Sequence, residues 1–210
     1  MKNIINVMHE EILAPLQKKL LPLLKTFSGT FGLIGGTAIA LQLGHRRSVD
    51  FDLISFSKLQ GDNIRSIIKK NHTIESTIVD EKNELTLVVD GVKITFLHYP
   101  FHIEFEEEFN EIIRMPNLLS LASMKAFALG RRAKWKDYVD LYYIIQKYSF
   151  REIVKKAHEV FGDEFNERLF REQLAYFTDI DYSELIDSMK GFELDTAYIQ
   201  KKLEEISLQK

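Results

Sequence analysis

The stretch "LIGGTAIALQLGHRRSVDFDLIS", Leu33 to Ser55, holds a double glycine, two adjacent arginines and two aspartates one residue apart. Phe31 to Ile34 is short and apolar, which predicts a first strand. Gly35-Gly36-Thr37 reads as a turn opening a helix over Ala38 to Leu43 that closes near Gly44. Ser48 to Ile54 alternates, which predicts a second strand with Val49, Phe51 and Leu53 on one face and Asp50 and Asp52 on the other. Two carboxylates at i and i+2 on a strand point to the same side. An ordinary core strand has no use for such a pair, so the stretch is either a solvated edge or a cation site.

Outward from this unit, Ile4 to Leu24 has apolar residues at helical spacing, interrupted by Pro15 and Pro22. On the other side, a helical patch at Asn63 to Lys70 precedes three strands, Ile74 to Val79, Leu85 to Val89 and Val92 to Leu97. "DEKN" joins the first two, and Asp90-Gly91 is a two-residue hairpin signal between the last two. The expected class is α/β (α+β), a mixed sheet with flanking helices. After "HYPFHIEFEEEFNEIIRMP" the texture becomes almost wholly helical to the end, with stripes at Leu118, Leu121, Ala122, Ala128 and Leu129, then Leu141, Ile144, Ile145 and Tyr148. This places a boundary near Pro116, giving an α/β domain at 1–116 and a helical C-terminal domain at 117–210. The five glutamates from Glu104 to Glu111 read as a solvated face.

The totals narrow the classes. The 210 residues are 45% hydrophobic and 28% charged, with a net charge of −3, which fits a folded chain with a sizeable core and no global basic field. Any nucleic-acid contact must rest on a local patch. The absence of cysteine excludes disulfides, thiolate catalysis and Cys-ligated zinc. The start, "MKNIINVMHEEILAPLQKKLL", mixes acids and bases with apolar residues and reads as an amphipathic helix rather than a signal peptide. The longest low-charge run, Phe31 to Gly44, is well short of the roughly 20 residues of a membrane helix, so a cytoplasmic chain is expected.

The chemistry follows from geometry. Carboxylates sharing a strand face can hold one hard cation, and Mg²⁺ typically takes one or two carboxylates plus substrate phosphates. Glycines at a strand-to-helix turn let backbone N–H groups approach a phosphate, which a helix N-terminus also favours. Thr37 either adds a hydrogen bond there or caps the helix. Arg46 and Arg47 either hold phosphates or lie on the surface. Further along, Lys125, Arg131, Arg132, Lys134 and Lys136 form a cationic run without an acid, suited to a triphosphate or an RNA backbone. Asp137 and Asp140 share a helix face, and Lys136 and Asp140 have pairing distance in sequence. A salt-bridged helix packing through Val139, Leu141 and Ile144 accounts for the same residues. Trp135 is open between packing and base stacking. His98 and His102 show no metal-ligand pattern.

A Gly-Ser or Gly-Thr turn, a helix, and an Arg-x-Thr-x-Asp-x-Asp strand form the leading signature of DNA polymerase β-like nucleotidyltransferases. "GGT" at Gly35–Thr37 and "RRSVDFD" at Arg46–Asp52 resemble it, with Ser48 replacing the threonine. "MKAFALGRRAKWKDYVDLYYII", Met124 to Ile145, resembles the second conserved block of the AbiEii/AbiGii toxin family within that superfamily, and "LAYFTDID", Leu174 to Asp181, resembles one of its tail segments.

The resemblance implies a nucleotidyltransferase-like fold and transfer of a nucleoside monophosphate from an NTP to an acceptor hydroxyl. Asp50 and Asp52 would bind Mg²⁺, with Mn²⁺ as the alternative, and act in catalysis with Lys125 and with Asp137 or Asp140. Gly35, Gly36, Thr37, Arg46, Ser48, Arg132 and Lys136 would hold the nucleotide phosphates. The implied setting is a bacterial toxin–antitoxin or phage-defence pair, with a cognate antitoxin and a tRNA 3′ end as acceptor. Two alternatives stand beside it: nucleotidylation of a partner protein, and a non-catalytic nucleotide- or RNA-binding module of the same fold. One departure matters. The superfamily usually adds a third carboxylate from a neighbouring strand. In "GVKITFLHYP" that position falls near Thr95, which is neither a good ligand nor a base. Glu84 is a candidate substitute, and the helical block is another source of a base.

Overall fold

The computed structural model describes residues 8–129, 131 and 134–209. It is a mixed α/β structure, as the alternation predicts. The chain divides between Pro116 and Asn117 into two compact units.

The first unit is built on a five-stranded sheet. Its strands are β1 (Gly32–Ile34), β2 (Phe51–Ser55), β3 (Ile74–Asp80), β4 (Glu84–Val89) and β5 (Val92–His98), in the order β1-β2-β5-β4-β3. Only the β2–β5 pairing is parallel. The meander β3–β4–β5 thus returns its last strand to the side of β2. The β4–β5 turn has Asp90 at φ 46° and Gly91 at φ 79°, the two left-handed positions that an Asp-Gly hairpin supplies. Asp90 also accepts from His72 and from the Thr73 N–H, and the hydrogen bond from His72 leads in holding its carboxyl below the ordinary value.

Phe51, Leu53, Ile94, Phe96, Leu85 and Leu87 bury one sheet face. Phe96 meets Phe27 and Phe31 edge to face, with centroids 5.0 and 5.3 Å away. The opposite face carries Asp52, Thr95 and Thr86 side by side, since Asp52 is the register partner of Thr95 and Thr95 of Thr86.

The helices of this unit are α1 (Pro15–Lys19), α2 (Leu21–Phe27), α3 (Gly35–Leu43) and α4 (Gly61–Ile68). The expected helix at Ile4–Leu24 begins outside the described residues. The rest is a short 3-10 turn at Glu10–Ile12 followed by α1 and α2. The two prolines explain the division: each sits in the first turn of a helix, where its missing N–H costs nothing.

One expectation differs. Val49 is 62% exposed instead of sharing the face of Phe51, because β2 begins only at Phe51 and Val49 lies in the loop before it. The five glutamates are solvated as expected, four exposed and Glu107 half-buried. The same stretch enters a hairpin of β6 (Glu107–Phe109) and β7 (Ile113–Met115) that buries Phe109, Ile113 and Met115 and turns through Asn110 and Glu111 at positive φ.

The second unit holds α5 (Leu118–Leu129), α6 (Trp135–Ile145), α7 (Phe150–Phe161), α8 (Glu167–Leu174) and α9 (Thr196–Ser207). Ser149 and Glu152 cap α7 reciprocally: the Glu152 N–H reaches the Ser149 hydroxyl at 3.3 Å, and the Ser149 N–H reaches the Glu152 carboxylate at 2.8 Å. Stacked rings pin α7 to α5 through Phe161 and Phe127 (4.0 Å) and to α8 through Phe150 and Phe170 (5.3 Å). The expectation of helix almost to the end fails between α8 and α9, where residues 175–195 are irregular. Among the described residues no helix is long and apolar enough to cross a membrane.

Candidate active site

In the first unit β1 runs into α3 with no spacer, and Ile34 is the register partner of Asp52. The Asp52 carboxylate therefore lies on the first turn of α3. Gly35 is required there twice over. Its φ of 73° is left-handed, and a Cβ would overlap the Asp52 carboxylate. Gly36 leaves room for the next two groups, since a Cβ there would stand 2.6 Å from Arg46 Nη2 and 3.0 Å from Ser48 Oγ. The double glycine is thus the floor on which Asp52, Arg46 and Ser48 rest.

Thr37 is buried and does not cap the helix; Ile34 holds the N-cap position. Its hydroxyl donates to the Asp50 carbonyl and lies 3.0 Å from Ser48 Oγ, which ties the 46–50 loop to α3. The two arginines part company. Arg46 is 4% exposed, beside Gly36, and donates to the Arg47 carbonyl at 2.9 Å. Arg47 turns outward and donates to the Glu11 carbonyl at 3.1 Å. Amide N–H groups at the start of α3 and a buried guanidinium beside them make an anion-favouring end to the cluster.

The carboxylates form the other end. Asp50 lies just ahead of β2 and pairs with Lys93 of β5, Nζ to Oδ2 at 2.6 Å. Sequence reasoning gave Lys93 no role, because the β2–β5 register that brings it to Asp50 is not visible locally. Thr95 sits beside Asp52, buried, where the resemblance calls for an acid. Its hydroxyl lies 3.3 Å from that of Thr86, which lies 3.0 Å from Glu84 Oε1. Glu84 is thereby linked to Thr95 through one intervening hydroxyl. Among the described residues no group of three or more His, Cys, Asp or Glu side chains could enclose a metal ion. Asp50 and Asp52 still fit a hard divalent cation of the kind that completes its shell with substrate phosphates and water, because their donors are all oxygen.

The second unit holds a different constellation. Lys125 on α5 donates to Asp137 and, at 2.9 Å, to Asp140, both on α6. Exposure is 5% for Lys125 and 0% for each aspartate, so the triad is removed from water. Lys136 pairs with Glu184 rather than with Asp140, and Lys134 joins the same carboxylate. Burial works against the charge of Glu184, but the two lysines outweigh it and hold its carboxyl at about 2. The backbone of Lys134 also forms an isolated parallel β-bridge with that of Asp181, whose carbonyl accepts the Trp135 N–H at 3.0 Å.

Trp135 is packing: it is buried and stacks on Tyr138 at 5.9 Å, with Tyr182 and Phe177 around it. Burial, with Asp137 close by, pushes the Tyr138 phenol up to about 12. Arg132 lies outside the described residues. His45 is buried, and His102 packs against Phe56 at 5.0 Å.

Known proteins resemble this chain in sequence and in fold. The profile of the "Nucleotidyl transferase AbiEii toxin, Type IV TA system" family matches residues 23–205. The protein aq_aa25 of Aquifex aeolicus (strain VF5) is 28% identical over 184 residues, spanning 83% of this chain and 87% of that protein. Among solved structures, MenT4, a nucleotidyltransferase toxin from Mycobacterium tuberculosis H37Rv, superposes with a TM-score of 0.65 at 14% identity, over 91% of this chain and 80% of that one. JHP933 from Helicobacter pylori superposes with a TM-score of 0.59 at 17% identity, over 95% and 91% of the two chains. These two likenesses show a shared fold. Together with a family match over most of the sequence, they make the chain a member of the AbiEii family of nucleotidyltransferase toxins from type IV toxin–antitoxin systems.

Proposed function

We propose that the chain transfers a nucleoside monophosphate from an NTP to an acceptor hydroxyl in a Mg²⁺-dependent reaction, with a tRNA 3′ end as the acceptor. The observation that carries this is the double-glycine turn, on which the Asp52 carboxylate and the Arg46 guanidinium rest at the start of α3. The amide end of α3 and Arg46 bind the triphosphate, and Ser48 and Thr37 fix the loop that presents Arg46. Asp50 and Asp52 hold the divalent cation, which supplies charge neutralisation at the phosphates when bound. The acceptor oxygen forms a bond to the α-phosphorus. The bond from that phosphorus to the α,β-bridging oxygen breaks, pyrophosphate leaves, and the acceptor proton passes to solvent.

In this proposal Lys125, Asp137 and Asp140, the triad carried over from the family, act by fixing α5 to α6, and Lys136 and Arg132 extend the cationic run. The setting is the cytoplasm, with a cognate antitoxin as partner and defence against phage as the role.

Each α-labelled NTP incubated with Mg²⁺, total tRNA and whole-cell protein tests the reaction. Label in RNA that disappears with Asp50→Asn/Asp52→Asn supports it. Label that the double variant transfers equally well overturns it, and label confined to protein moves the acceptor to a partner polypeptide. Thr95 beside Asp52 supports a second reading, a nucleotide-binding module without turnover. Calorimetric binding of NTP and Mg²⁺ with no transfer to RNA or protein would select it.

A further inference from the structure

Two-cation transfer sites draw the second ion in with carboxylates that face both metal positions, the ions lying about 3.5–4 Å apart. Strand β5 is the neighbour that would furnish such a carboxylate here. It contributes Thr95 beside Asp52, and two residues earlier on the same face it contributes Lys93. The Lys93 ammonium stands 2.6 Å from Asp50 Oδ2, with 40% of its side chain exposed. The strand that should bring an anion to the cation site thus brings a cation and a neutral hydroxyl.

The local charges agree. Asp50 and Asp52 carry two negative charges, while Arg46 beside Gly36 and Lys93 beside Asp50 carry two positive ones. One divalent ion together with a polyanionic triphosphate is well accommodated there. A second divalent ion would meet the Lys93 ammonium where β5 itself brings no carboxylate to offset it, and like charges at such range repel strongly where water is thinned.

We propose that Lys93 takes the place of the second metal: the site works with a single divalent cation, and the ammonium supplies the other positive charge. This rests on the nucleotidyl-transfer reading for its chemistry, but not for its ion count. Lys93 contacts a carboxylate that also holds the cation, so it both limits metal affinity and supplies charge. Removing it has opposite effects on the two.

Electron paramagnetic resonance of Mn²⁺ titrated into the full chain, alone and with the α,β-methylene analogues of the four common NTPs, counts the ions. One Mn²⁺ per chain is expected for the wild type and none for Asp50→Asn/Asp52→Asn. Lys93→Met/Thr95→Asp, which restores a carboxylate and removes the ammonium, is expected to bind two. Lys93→Met alone should bind its single Mn²⁺ about tenfold more tightly. The same variant should lose about 100-fold in kcat, as when one preorganised charge-stabilising group is deleted. Lys93→Arg should recover part of that loss.

Two Mn²⁺ in the wild type overturn the proposal, and so does Lys93→Met with unchanged or faster transfer. Unaltered melting curves for Lys93→Arg and Lys93→Met exclude a folding artefact. The two readings fail separately. One Mn²⁺ with no transfer to any acceptor removes the reaction and leaves the ion count standing; two Mn²⁺ with active transfer does the reverse.

Discussion

Two clusters in this chain are made of the same parts, a lysine and two aspartates, and do opposite things. Asp50 and Asp52 sit two apart at the start of a strand, partly open to water, with Lys93 reaching one of them from β5. Asp137 and Asp140 sit three apart on a helix, fully buried, with Lys125 between them. A partly hydrated ion pair exchanges partners cheaply, because water replaces what is lost. A buried one does not, because removing one member strands the others in a low-dielectric interior. The first cluster is therefore suited to taking up a cation. The second couples α5 to α6, and its place in the proposed reaction depends on that rigid coupling.

The largest expected effect separates the clusters by activity. Asp50→Asn/Asp52→Asn should lower transfer by roughly a thousandfold or more while shifting the melting temperature little, since neither group is an uncompensated buried charge. A variant that melts early would break the contrast. Lys125→Met should do the converse to stability, costing about 3–5 kcal/mol in denaturant unfolding, because it removes a buried cation from two buried carboxylates. Lys125→Met/Asp137→Leu/Asp140→Leu should regain most of that loss; if the triple variant is no more stable than the single one, burial is not what sets the cost.

Gly35→Ala falls between the two. The strained φ of a non-glycine and the overlap with Asp52 together should cost about 2–3 kcal/mol and displace the carboxylate, so that Mn²⁺ affinity falls along with stability. The smallest effect lies outside both clusters. Glu184 has its carboxyl depressed from 4.5 to about 2, so its contribution to stability is complete above the ordinary value and is lost as pH falls through about 2. Its side chain is 42% exposed, which keeps the effect well under 1 kcal/mol by the usual weakness of solvated pairs. Melting curves of wild type and Glu184→Gln should differ at neutral pH and converge near pH 2.

What was legible in the sequence was local. The Asp90-Gly91 turn, the alternation of β4 and β5 and the double glycine before α3 each declare themselves within a few residues, because turn chemistry and side-chain period are short-range. The interrupted N-terminal helix was readable for the same reason, since a proline marks its own first turn. What escaped depends on pairing between distant segments. Lys93 meets Asp50 only through the parallel register of β2 and β5, and Lys136 meets Glu184 across an irregular segment with no periodicity to read. The β6–β7 hairpin was hidden by composition. Its glutamates are as many as the three apolar residues that it buries, and its turn uses Asn110 and Glu111 at positive φ instead of glycine. For the candidate site, the sequence could name the residue types of both clusters but not that one would be closed to water and the other open.

The Thr37 latch has a consequence for motion. Its hydroxyl holds the Asp50 carbonyl and neighbours Ser48, so the loop carrying Arg46, Ser48 and Asp50 is fastened to the first turn of α3 by a contact only 13 residues apart in sequence. Short closures of this kind cost little chain entropy and re-form quickly. The amides of that loop and of the first turn of α3 should therefore exchange their hydrogens as one unit, and Thr37→Val should release the loop while leaving the rest of α3 protected. The end of the cluster proposed to face phosphates would then be set by a single internal hydroxyl before any ligand arrives.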